Sequence, residues 1–195
     1  MHGLINRSIQ CFVRDTYGPA IWAGIAAGAD LGFDNFEALL VYKDDVTERI
    51  LREASERLGK PVEALMEDLG TYLISNAGFG GVRRLLRFGG VSFVDFLHSL
   101  DDLRDRVRLA VPDLVLPHLE VRDHATNSFT LTCSFDRSGF GHVFVGILRA
   151  MADDYGTLVL LEHLGGNTGV EVISIEVLDL GFAEGRSFAL GASTN

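Results

Sequence analysis

The run LPHLEVRDHATNSFTLTCSFDRSG, Leu116–Gly139, decides the fold. Apolar and polar residues alternate on both sides of DHATNS, as in two half-buried strands joined by a tight turn. The next segment, FGHVFVGILRAMADDYG, switches to helical spacing. TLVLLEHLGGNTGVEVISIEVLD, Thr157–Asp179, then returns to strand character, with its turn in GGNTG. A strand pair, a helix and a second strand pair form an antiparallel sheet with a helix inserted between its hairpins.

Upstream of about Pro112 the texture is helical. HGLINRSIQCFVRDTYG keeps Leu4, Ile5, Ile9, Phe12 and Val13 on one side and ends at Gly18-Pro19. PAIWAGIAAGADLG reads as a short second helix, and DDVTERILREASERLGK as a third, opening on acids and closing at Gly59. PVEALMEDLGTYLISNAG starts with Pro61 at a favoured first-turn position and runs to Gly78. A glycine-broken stretch, FGGVRRLLRFGG, follows. SFVDFLHSLDDLRDRVRLAVPDLVLP, Ser92–Pro117, reads as one helix and an extended segment, its apolar stripe being Phe93, Phe96, Leu97, Leu100, Leu103 and Val107. Arg104 sits at the edge of that stripe, where a guanidinium calls for a partner.

The 195 residues suffice for one domain with a real core, and 47% hydrophobic with 23% charged residues is globular composition. Seventeen basic against 27 acidic side chains give a formal charge of -10, which argues against a nucleic-acid surface. The clusters RRLLR (Arg83–Arg87) and RDRVR (Arg104–Arg108) read as solvated helix faces, and the paired acids Asp101-Asp102 and Asp153-Asp154 as solvated too. No apolar run reaches the length of a membrane span, and the N-terminus lacks the apolar core of a signal peptide, so a cytoplasmic location is expected. Cys11 and Cys133 form neither a disulfide framework nor a zinc spacing. Phosphate-loop, G-x-S-x-G and dinucleotide patterns are missing, and no nucleophile-and-base pair stands out; the expectation is a protein without catalytic activity. No two of His2, His98, His118, His124, His142 and His163 stand at a helical metal-ligand spacing.

MHGLINRSIQCFVRDTYGPAIW, VYKDD, LLRFGGVSFVDFLHSLDDL and LTCSFDRSGFGHVFVGILRAMA together, in this order, resemble the heme-nitric oxide/oxygen binding (H-NOX) domains, including the sensor region of the soluble guanylate cyclase β chain. The resemblance implies an α+β fold in which a helical N-terminal lobe packs on a four-stranded antiparallel sheet with an inserted helix. A single domain is expected over 1–182, with a helical lobe over about 1–112, a sheet lobe over about 113–182 and a loose tail at 183–195.

Members of that family hold heme b through one histidine, and aligning FLHSLDDLRDRV to their pattern puts that histidine at Arg104. An arginine side chain stays protonated and offers iron no lone pair, so the alignment gives no metal ligand at the family position. His142 and His98 are the remaining candidates as substitute ligands, behind the plainer reading of each as a polar helix residue. The family's propionate clamp of tyrosine, serine and arginine falls on Cys133, Phe135 and Arg137, so only the arginine is kept. Pro117 and Ile5 match residues packed on the heme, and the distal wall falls on Ile9, Leu73 and Val143, none of which can donate a hydrogen bond to oxygen. Heme held there would favour nitric oxide or carbon monoxide over oxygen.

The resemblance implies a stand-alone bacterial sensor that controls a separate signalling enzyme, a histidine kinase or a diguanylate cyclase. The alternative is a heme-free homologue that binds proteins or another apolar ligand. In that case Arg104 is expected to lock the domain by pairing with a nearby acid, Asp101 before Asp105.

Overall fold

The computed structural model describes residues 1–167 and 169–187. The chain divides into two compact units, Met1–Leu69 and Gly70–Asn195.

The first unit is helical. α1 (Gly3–Tyr17) is capped by the His2 ring, which accepts the Leu4 N–H. It buries Ile9, Phe12 and Val13, and Gly18 at φ 98° stops it. Pro19 then opens α2 (Pro19–Gly28), which buries Trp22, Ile25 and Ala26. α3 (Asp44–Leu58) carries Asp44 and Asp45 in its first turn, where carboxylates suit the helix dipole, and Gly59 closes it in the left-handed region. α4 (Val62–Ser75) adds Leu65, Met66 and Leu69 to this core. Two buried polar side chains find partners for their carbonyl oxygens: Asn6 Oδ1 accepts the Thr47 hydroxyl at 2.6 Å, and Gln10 accepts the Phe36 N–H while donating to Asn35.

The second unit begins with the rest of α4. A short 3-10 turn, Ala77–Phe79, leads into α5 (Gly80–Arg87), so the stretch read as glycine-broken is a helix. The residues expected to form one helix form two, α6 (Phe93–His98) and α7 (Leu103–Ala110). All six apolar residues of the stripe are nevertheless buried. The break follows from competition for carbonyls. The Ser99 hydroxyl bonds back to Phe96 O at 2.7 Å, and the Arg106 guanidinium takes Ser99 O at 2.6 Å, the acceptor a continuous helix would have given to Leu103 N–H. Leu103 N–H goes to Leu100 O instead.

β1 (His118–Ala125), β2 (Ser128–Ser134), β3 (Leu158–Asn167) and β4 (Val170–Asp179) form a four-stranded antiparallel sheet in the order β1-β2-β4-β3. α8 (Phe140–Tyr155) connects β2 to β3. The α+β class and the helix inserted into an antiparallel sheet are as expected. One face of the sheet buries Leu119, Phe129, Leu131, Cys133, Ile173, Ile175 and Val177. At Gly70 a Cβ atom would stand 2.0 Å from Val143 O, so the glycine lets α4 and α8 approach backbone to backbone. Of the segment expected to be a loose tail, residues up to Ser187 are described. Ala183 and Arg186 donate backbone N–H bonds to Gly156 O and Asp154 O. Residues 188–195 lie outside the described range.

Candidate functional site

Arg104, expected from the sequence resemblance at the iron ligand's position, stands in the first turn of α7 and is exposed. Among the described residues it makes no ion pair. The expected lock with Asp101 or Asp105 is not seen among the described residues; Asp101 Oδ1 instead accepts the Val121 N–H at 2.8 Å and so fastens the α6–α7 turn to β1. The guanidinium that does tuck in beside the stripe is Arg106, bound to Ser99 O and to Leu85 O at 3.2 Å. Burial pushes its pKa down, opposed by Asp102. His98, the one histidine of this segment, is exposed and holds the Asp123 carboxylate at 3.0 Å through Nε2.

The run aligned with the propionate clamp is split by burial. Cys133 is buried on β2, and desolvation, reinforced by the charge of Glu171, pushes its thiol pKa up to about 12, so it stays protonated. Phe135 packs edge-on against Phe140, with ring centroids 4.7 Å apart. The Arg137 guanidinium lies 5.7 Å from the Phe135 ring centroid and 3.9 Å from the Asp136 carboxylate. The structure therefore brings Phe135 and Arg137 together. Pro117 is buried just before β1, Val143 is buried in the first turn of α8, and Leu73 is half-buried in α4. In the first unit Ile5 is half-buried in α1, and Ile9 lines an apolar pocket with Phe12, Val13, Leu51, Ala54, Leu65 and Leu69.

Neither histidine considered as a substitute ligand stands apart. The His142 ring stacks on His163, centroids 3.9 Å apart and planes 16° apart. His163 Nε2 lies 3.2 Å from Glu171 Oε1, and Glu171 Oε2 accepts the N–H groups of Gly139 and Gly141 at 3.0 Å. Two backbone donors at the start of α8 thus find their acceptor on β4. His163 and Glu171 stand on β3 and β4, so a rule of histidine spacing within one helix cannot find them. A usable signal existed: Glu171 falls in the same period-two phase as the buried Ile173, Ile175 and Val177, and a carboxylate in that phase needs partners.

A family model described as Haem-NO-binding matches residues 2–163. Among curated proteins, the chain is 26% identical over 165 residues to soluble guanylate cyclase gcy-31 of Caenorhabditis elegans, covering 84% of this chain and 24% of that protein. It is 30% identical over 111 residues to guanylate cyclase soluble subunit beta-2 of Rattus norvegicus, covering 56% of this chain and 16% of that protein. The chain thus spans about a quarter or less of the length of these relatives. Among solved structures, the I5F mutant of T. Tengcongensis H-NOX matches with a TM-score of 0.76 at 19% identity, covering 92% of this chain and 99% of that one. An oxygen-binding H-NOX domain related to soluble guanylate cyclases, solved as its oxygen complex, matches with a TM-score of 0.71 at 19% identity, covering 96% and 100%.

Proposed function

This chain belongs to the haem-NO-binding family, as a sensor domain of the guanylate cyclase kind, and from that premise we propose that it works without the family's iron ligation, as a non-catalytic regulatory module read by a signalling enzyme. The observation that carries this reading is the exposure of Arg104, a side chain without a lone pair at the position where the sequence resemblance puts the family's ligand. The neighbouring donors support it. His98 is engaged by Asp123, and the buried Cys133 keeps its proton. The residues present do not fit an axially ligated heme, and no step of the proposed function runs through one.

What remains is a scaffold whose output lies in protein contacts. The reader we assign to it is a signalling enzyme, a diguanylate cyclase or a histidine kinase, and the similarity to soluble guanylate cyclases supports the signalling class. Among the described residues no helix is long and apolar enough to cross a membrane.

Titrating the purified chain with hemin and recording the Soret region tests the reading. No stoichiometric band is expected. A sharp band saturating at one heme per chain would overturn it and return the domain to nitric oxide sensing through an unusual ligand, with Ile9, Leu73 and Val143 as its apolar distal wall.

A further inference from the structure

We propose that His142, His163 and Glu171 form a binding site for one divalent transition-metal ion of the zinc class, which clasps the first turn of α8 to the β3–β4 hairpin. The ligating atoms of the three side chains all lie within 4.8 Å of one another. Two imidazole nitrogens and one carboxylate oxygen make a donor set that suits zinc and the later first-row ions. Calcium and magnesium prefer cages of oxygen, and no thiolate is offered here to a softer ion. Three protein ligands leave a coordination position for water or another small donor.

The surroundings are organised as ligands require. The Gly139 and Gly141 N–H groups hold Glu171 Oε2, which fixes the carboxylate with Oε1 toward His163. Only 13% of the His163 side chain and 11% of the Glu171 side chain are exposed, so an ion would meet little competition from bulk water. Gly141 makes room: a Cβ there would stand 2.7 Å from His163 Nε2 and 3.0 Å from Glu171 Cβ. A register shift in the β3–β4 ladder between His163 and Gly166 sets the hairpin backbone beside the cluster, as bulges next to functional sites do.

Binding requires two small adjustments. The Gly165 N–H points at His163 Nδ1, so the network assigns the ring proton to Nε2, facing Glu171 Oε1. An ion between Nε2 and Oε1 takes that place, the ring passes to its other neutral tautomer with the proton on Nδ1, and the Gly165 amide turns away. Gly165 already sits at φ 80° and carries no side chain to oppose the turn. The His142 ring tilts out of its stack, and the donors close to the roughly 3.4 Å separations of a tetrahedral ion about 2.0–2.1 Å from each ligand. The site uses no residue of the heme alignment except His142, and it stands or falls apart from the hemin result.

The experiment uses the full chain, freed of metal with a chelator that is then removed. Zinc is titrated in competition with a chromophoric indicator, and cobalt(II) reports geometry through its visible bands. One zinc ion per chain and cobalt bands of a four-coordinate site are expected. His142→Ala and His163→Ala should each weaken zinc binding by about a hundredfold or more. Glu171→Gln removes the acceptor at the start of α8, so the two histidine variants, checked for unchanged far-ultraviolet circular dichroism, carry the decision. Failure to saturate at one ion, equal affinity in the wild type and both variants, or a loss confined to one of them would overturn the three-ligand site.

Discussion

Where arginines of α5 reach α8, the Asp154 carboxylate is fully buried, with Arg83 at 2.6 Å and Arg87 at 3.6 Å. Arg87 also lies over the Tyr155 ring at 3.9 Å, and the Tyr155 hydroxyl donates to Gly90 O. Where α6 turns into α7, the Arg104 guanidinium is exposed and makes no ion pair among the described residues. Both are charged helix residues of the second unit, yet only one holds structure together. The difference lies in what each helix faces. Asp154 looks onto a second helix that supplies cations, whereas Arg104 points away from the buried stripe that Leu103 and Val107 continue.

The sharpest way to break this contrast is to remove the buried anion. Asp154→Ala leaves two guanidiniums without their shared counter-charge and should cost about 3–5 kcal/mol of stability, read from urea unfolding. A loss no greater than that of a surface substitution would mean that α5 is not anchored through this carboxylate. Next in size is Arg106→Ala. It leaves the carbonyls of Ser99 and Leu85 without their donor at the α6–α7 break and should cost about 1–3 kcal/mol.

These residues also show how far the sequence could be read. Alternation and helical spacing gave the antiparallel sheet, its inserted helix and the burial of Phe93, Phe96, Leu97, Leu100, Leu103 and Val107, because those signals are local and periodic. The break at Ser99 was not legible, since it depends on Arg106 folding back onto a carbonyl several residues earlier. For the same reason Arg83, Arg87 and Asp154 read as solvated charge, and Arg104 as the guanidinium in need of a partner. His142, His163 and Glu171 come from a helix and two strands, so no spacing rule within one element could join them. The phase of Glu171 on β4 was the available clue.

A smaller effect sharpens the account of α6. Ser92 and Asp95 form a reciprocal cap at its start, and the bonds from Ser92 hold the Asp95 carboxyl below its ordinary 3.8. Because the folded value is the lower one, the cap's contribution is complete above the ordinary carboxyl range and is lost as pH falls through the lowered value. Ser92→Ala should move the Asp95 midpoint back up toward 3.8 in an NMR titration. An unmoved midpoint would remove the cap as its cause.

The smallest expected effect concerns Arg104 itself. An exposed side chain with no ion pair has little to lose, so Arg104→Ala should change stability by no more than about 0.5 kcal/mol. It should also leave the hemin titration as featureless as that of the wild type, since alanine, like arginine, offers iron no lone pair. Arg104→His separates two reasons for that silence. If the missing imidazole alone prevents ligation, the variant should acquire a Soret band; if the loss of hydroxyl donors at Cys133 and Phe135 also matters, the band should stay weak and sub-stoichiometric. A destabilisation of Arg104→Ala approaching that of Arg106→Ala would show that the guanidinium in the solvent does hold something in place, and the contrast with Asp154 would lose its basis.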